Sequence, residues 1–142
     1  KNTYTMQEYT DRIYQELNFM SYVPCLFISA LTGQRVSQVL PLALQVQEER
    51  ITRLSTSQLN RILQQAQDVH EAVTKSGKFF KIYYGTQVRS DPPTFLIYVN
   101  EPKGVHFSYK RYLINQIREE AGLDKTPIRL YFRSRSSEKK GK

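Results

Sequence analysis

The run Val23-Pro24-Cys25-Leu26-Phe27-Ile28 is continuously apolar, with β-branched and aromatic members and no polar alternation. That is the pattern of a short strand buried on both faces, as in a parallel sheet. Such a strand requires neighbours, because buried backbone N–H and C=O groups must be paired. The sequence around it supplies only helices. Met6, Tyr9, Ile13, Leu17 and Met20 recur at helical spacing and predict an amphipathic helix over residues 4–20, its stripe facing a core. A second helical pattern runs from about Arg35 to Arg53, with Val36, Val39, Leu40, Ala43 and Leu44 inward and Pro41 bending it or delaying its start. Residues 1–54 therefore read as the closing portion of a doubly wound α/β domain whose earlier strands lie upstream of Lys1.

A different unit follows. Ser55 and Gln58 match a capping box and open a helix to about His70, with Leu59, Ile62, Leu63, Ala66 and Val69 as its buried stripe. Phe79 to Val88 reads as a strand with Phe80, Ile82 and Tyr84 on one face, and Thr94 to Asn100 as another. Ser108 is positioned to cap a helix to Ala121, with Tyr109, Tyr112, Leu113, Gln116 and Ile117 on one side and Gly122 as its stop. Pro127 opens a last strand, Ile128 to Arg133. The order α, β, β, α, β predicts a three-stranded sheet with both helices on one face. Residues 134–142 read as a flexible basic tail.

Charge divides at the same place. Of 21 Lys plus Arg, 16 fall in residues 59–142, with eight of the 13 acidic residues, so the whole net charge of +8 sits in the C-terminal part. A basic surface of this size attracts polyanions such as nucleic acid, or serves only as a solvated, solubilising face. Alternation in the last strand sends Ile128, Leu130 and Phe132 one way and Arg129, Tyr131 and Arg133 the other. The open face is thus basic and aromatic, with Lys81, Tyr83 and Tyr98 available to join it. Rings that stack on bases beside cations that neutralise phosphates suit unpaired RNA, and the same tyrosines suit docking to a protein domain.

Other chemistry finds little support. Cys25 lies in an apolar run, away in sequence from His70 and His106, and a lone cysteine agrees with a reducing compartment. His106 is expected to be a packed or capping residue. No ligand spacing suggests zinc. The adjacent pairs Glu48-Glu49 and Glu119-Glu120 point in different directions on helices and read as solvated faces. No catalytic residue, metal site, membrane span or secretory signal is expected.

Phe27-Ile28-Ser29-Ala30-Leu31-Thr32-Gly33 resembles the last guanine-recognition motif of P-loop GTPases. The strings KIYYGTQV (81–88), PPTFLIYVN (92–100), HFSYKRYLINQIRE (106–119) and TPIRLYFR (126–133), in that order, resemble the C-terminal domain of the Der or EngA family. These are ribosome-assembly GTPases with two tandem GTPase domains followed by a KH-like domain. The resemblance implies the end of the second GTPase domain in residues 1–54, a KH-like domain in 55–133, and a tail in 134–142. The expected fold class is α/β followed by α+β.

It further implies that Ser29, Ala30 and Leu31 contact the guanine, the Ala30 backbone N–H donating to the base carbonyl, and that the longer protein binds GTP or GDP with Mg. No GxxxxGK[ST], DxxG or NKxD motif is present, so this chain alone is expected not to hydrolyse GTP. The GxxG clamp of ordinary KH domains is absent too, since glycines 33, 77, 85, 104, 122 and 141 are never three apart. Expected partners are rRNA of the large ribosomal subunit and, intramolecularly, the GTPase domains. The expected location is the cytoplasm, or the stroma or matrix of an organelle of bacterial origin. Lys81, Lys110, Arg111, Arg118, Arg129 and Arg133 are the expected phosphate contacts, with Tyr83 and Tyr131 as stacking residues.

Overall fold

A computed structural model describes residues 3–135, and the side chains of 5–135. Burial begins late: Leu54 is the first buried residue along the described chain. Helix α1 (Thr3–Glu16) ends in a 3₁₀ turn, Asn18–Met20. Its apolar stripe is not core as expected; Tyr9 and Leu17 are exposed, and Met6, Ile13 and Met20 half-buried. The segment expected as a two-sided strand, 23–28, has no ladder partner. Its start is tied instead by the Tyr14 hydroxyl, which donates to the Val23 carbonyl at 2.7 Å, and by the Val23 N–H, which donates to Met20 at 3.0 Å. Both departures have one cause: the described chain contains no sheet for this strand to join or this helix to cover.

Helix α2 (Val39–Arg50) starts after a 3₁₀ turn, Val36–Gln38. Pro41 thus falls in the first helical turn, where its missing N–H costs nothing, and it delays the helix rather than bending it. Beyond α2 the chain is clasped by the C-terminal unit. The Lys125 N–H donates to Glu49 Oε2 at 2.6 Å, and the Asp91 N–H to the Arg50 carbonyl at 2.8 Å. The Arg50 side chain pairs with Asp91. Gln87 bridges the junction, its Nε2 donating to the Thr52 carbonyl at 2.9 Å while its Oε1 accepts the Leu54 N–H at 2.6 Å.

Helix α3 (Thr56–Val69) is capped as expected, the Ser55 Oγ accepting the Gln58 N–H at 3.2 Å. Strands β1 (Ile82–Arg89) and β2 (Thr94–Val99) pair antiparallel. Helix α4 (Phe107–Ala121) then crosses over to β3 (Arg129–Arg133), which runs parallel to β2 on its other side. Helices α3 and α4 cover one face of this sheet. Leu59, Leu63, Leu113 and Ile117 meet Phe80, Phe95, Ile97, Val99 and Leu130 in one core. The expected α+β arrangement is therefore the observed one.

Local differences have identifiable causes. Val69, expected in the buried stripe, is 77% exposed at the helix end, and Gln67 is buried in its place. The Gln67 amide donates to the Phe80 carbonyl at 3.1 Å and accepts the Ile82 N–H at 3.3 Å, satisfying the outer edge of β1. Asn60 does the same one strand repeat away, accepting the Gly85 N–H at 2.8 Å and donating to its carbonyl at 3.0 Å. Ser108 is not the cap of α4; the extended residue His106 holds that position, with Phe107 the first helical residue and no side-chain capping bond. Gly122 ends the helix in the left-handed region as expected, at φ +68°.

Two predictions follow from this packing. A Cβ on Gly85 would lie 2.7 Å from Leu63 Cδ1, so Gly85→Ala displaces the buried Leu63 side chain and costs about 1–3 kcal/mol, read as a lowered urea midpoint. The Tyr109 hydroxyl donates to the His70 carbonyl at 2.9 Å, and burial, helped by neighbouring Tyr112, pushes its pKa from 10.0 to about 12. The unfolded chain ionises this phenol first, so its contribution is intact below pH 10 and lost as pH rises through about 12. Tyr109→Phe is expected to cost about 1 kcal/mol at neutral pH and to flatten the alkaline fall of the urea midpoint.

Candidate nucleic-acid interface

The face of the sheet opposite the helices is built by strand register. Across the three strands, Thr86, Leu96 and Tyr131 lie in one row, and Tyr84, Tyr98 and Arg133 in the next. On the far side, Arg89 and Arg129 flank Thr94. In β3 the alternation holds as read from sequence: Leu130 is buried, Phe132 half-buried, and Arg129, Tyr131 and Arg133 exposed, Tyr131 at 53%.

In β1 it does not hold. An irregularity between Ile82 and Tyr84 inserts Tyr83 as an extra residue and switches the side-chain parity. Ile82 remains in the core, but Tyr84, expected beside it, instead stacks on Tyr98 across the sheet, with ring centroids 4.5 Å apart and planes at 22°. Sequence periodicity carries no signal for such a bulge, and Tyr84 was missed for that reason. Arg135, assigned from sequence to the tail, was missed as well: its guanidinium lies 3.9 Å from the centroid of Tyr83, with Lys81 Nζ 5.5 Å from the same ring. Among the described residues, no carboxylate pairs with Lys81, Arg89, Arg129, Arg133 or Arg135. The face therefore presents uncompensated cations around aromatic rings, suited to polyanions with stacking groups.

The remaining expected contacts do not join this face. Lys110 and Arg111 belong to α4, on the other side of the sheet. Arg118, on the same helix, is half-buried and committed to internal bonds, donating from Nη1 to the carbonyls of Leu123 at 2.9 Å and Thr126 at 2.6 Å. Its guanidinium also sits 4.8 Å from the Tyr22 ring, and burial lowers its pKa. Close by, burial and the Asp124 carboxyl raise the pKa of Glu49, while hydrogen bonds from Glu49 and Lys125 lower that of Asp124. This cluster ties the loop after α4 to the N-terminal segment. The rest of the expected basic tail, residues 136–142, lies outside the described residues.

The segment Ser29-Ala30-Leu31 forms a closed loop. The Gly33 N–H donates to the Ser29 carbonyl at 2.8 Å, the Ser29 N–H to Gln34 at 3.1 Å, and the Thr32 N–H to Ser29 Oγ at 3.2 Å. Ala30 and Leu31 are its outermost residues, Leu31 being 96% exposed. Beside it an open cavity of about 630 Å³ lies between Phe27, Ile28, Ser29 and Arg35 on one side and Met6 and Tyr9 on the other. The sequence contains no GxxxxGK[ST] loop, and among the described residues no cluster of three metal-ligating side chains occurs. His70 stacks on Tyr109 and meets Tyr112 edge-on, and Cys25 is a free thiol. No described helix is long and apolar enough to cross a membrane.

Comparison with known proteins gives a consistent family. The profile described as "KH-domain-like of EngA bacterial GTPase enzymes, C-terminal" matches residues 53–133. A protein of Moorella thermoacetica named GTPase Der is 50% identical over 133 residues, covering 94% of this chain and 30% of that protein. Its namesakes from Halothermothrix orenii and Fusobacterium nucleatum are each 44% identical, over 96% and 97% of this chain and 31% of their own lengths. The chain spans about a third of the length of the curated relatives it matches.

The internal role of Arg118 sets it apart from the exposed arginine beside it in the same helix. Arg118→Ala is expected to cost about 1.5–3 kcal/mol through its two charge-assisted bonds, whereas Arg111→Ala stays within about 0.5 kcal/mol, both read by urea denaturation.

Proposed function

The chain belongs to the EngA, or Der, family of bacterial GTPases, and on that premise we propose that its C-terminal unit binds unpaired rRNA through the open sheet face. The observation that carries this reading is the juxtaposition of Tyr83, Tyr84 and Tyr131 with Lys81, Arg89, Arg129, Arg133 and Arg135 on the side of the sheet opposite the helices. Rings supply sequence-tolerant stacking, and cations displace counterions from phosphates. Lys110 and Arg111, on the helical side, are proposed only as peripheral phosphate contacts.

Residues 1–54 are read as the end of the second GTPase domain, with Ser29, Ala30 and Leu31 contacting the guanine. The longer protein then binds GTP or GDP with Mg and acts in maturation of the large ribosomal subunit in the bacterial cytoplasm or a related organelle. Of Ser29, Ala30 and Leu31, Ser29 borders the open cavity beside the loop, and the Ala30 backbone N–H is proposed as the donor to the base carbonyl. Hydrolysis requires groups upstream, so this chain by itself is proposed to be inactive.

A second reading has its own support. The row of Thr86, Leu96 and Tyr131 places a less polar strip between rows that carry arginines, as in a protein interface with an apolar centre and a charged rim. In that case the face docks on a GTPase domain and reports nucleotide state.

Arg129→Glu and Arg133→Glu separate the two. If RNA is bound, affinity for a single-stranded oligonucleotide falls, and the slope of log K against log salt flattens by about 0.7 per lost phosphate contact. Unchanged RNA affinity with an altered GTPase rate in the complete protein, measured without RNA, supports docking and overturns the RNA reading.

A further inference from the structure

The contact between Arg135 and Tyr83 is unusual in its reach. Tyr83 belongs to one edge strand and Arg135 follows the other, so the guanidinium closes over the ring from across the central strand. Tyr83 is displayed there by the bulge that inserts it between Ile82 and Tyr84. Its two neighbours, Tyr84 and Ile82, are already used, one stacked on Tyr98 and the other in the core. At 3.9 Å the guanidinium occupies the distance at which a stacked base would lie on the ring. Lys81, 5.5 Å from the same ring, adds a flexible cation at its margin.

We propose that Tyr83 and Arg135 form a clamp for a single unpaired nucleobase, closed on itself in the free protein and opening to sandwich the base between ring and guanidinium. This rests on the RNA reading above and assigns to it one stacking site. Both jaws are planar, so each can stack on a planar base, and a cation–π contact at an exposed position is weak enough to exchange for two stacked layers. Arg135 lies beyond the last ladder residue, Arg133, so its movement breaks no sheet pairing. Lys81 then faces the phosphate of the clamped nucleotide. A base held in a duplex cannot enter, because both its faces are already covered by its neighbours in the stack.

The test uses the full 142-residue chain and a fluorescein-labelled octa-adenylate, alone and annealed to its complement, with anisotropy as the readout. Arg135→Lys keeps the charge and removes the plane, and Tyr83→Leu removes the ring. Each is expected to weaken single-strand binding about fivefold or more, with the urea midpoint unchanged, while Tyr83→Trp binds at least as well and its indole fluorescence is quenched by the oligonucleotide. The double variant Tyr83→Leu/Arg135→Lys is expected to lose little beyond either single change, because both remove the same sandwich. Wild-type affinity in Arg135→Lys, or fully additive losses, overturns the clamp and leaves the RNA reading standing. No single-strand binding by the unaltered chain overturns both.

Discussion

The close approach of α3 to the edge strand β1 is the contact on which the rest of the C-terminal unit depends. Gly85 has no side chain where Leu63 comes to rest, and the amides of Asn60 and Gln67 hydrogen-bond the outer edge of β1 at Gly85, Phe80 and Ile82. An edge satisfied in this way is closed to pairing with other chains. It also fixes which face of the sheet is buried, since a helix held that tightly commits Leu59, Leu63 and Ala66 to the core. The opposite face is left to Tyr84, Thr86, Arg129, Tyr131 and Arg133. The bulge in β1 then places a third tyrosine at the border of that face, which a regular strand would have turned toward the core.

The N-terminal segment follows the opposite physics. It contains helices and an apolar extended run, but none of residues 5–53 is buried. Its firm connections are polar: Glu49 with Lys125, Arg50 with Asp91, Thr52 with Gln87, and Tyr22 under the guanidinium of Arg118. These hold the N-terminal segment against two loops, strand β1 and helix α4 of the KH-like unit without supplying an apolar core. An apolar extended run with no ladder partner in the described chain cannot do otherwise, because such a run gains its stability from neighbours on both sides.

Arginines illustrate how similar side chains divide between structure and binding. Arg118 is bound internally by two carbonyls and an aromatic ring, and its position spans the junction between the two segments. Arg129 and Arg133 project from an outward register of β3, without a carboxylate partner among the described residues. Arg135 is folded over Tyr83. From sequence, Arg118 and Arg129 are equivalent members of a basic domain; only what lies beside them separates an internal fastener from an exposed cation.

Much of this protein is written in local pattern. The capping residue Ser55, the helical stripe of Leu59, Ile62, Leu63 and Ala66, the stop at Gly122 and the alternation of Leu130 and Phe132 against Arg129, Tyr131 and Arg133 are all set by residues a few positions apart. The sequence by itself therefore determined the order of elements, the two helices on one face, and the basic aromatic character of the other. The tertiary structure decided what depends on partners distant in the chain: the parity of β1 after its bulge, the burial of Gln67 in place of Val69, the withdrawal of Arg118 and the recruitment of Arg135. Each of these rests on a contact with another element, and periodicity along one element contains no information about the backbone groups it must satisfy on the next.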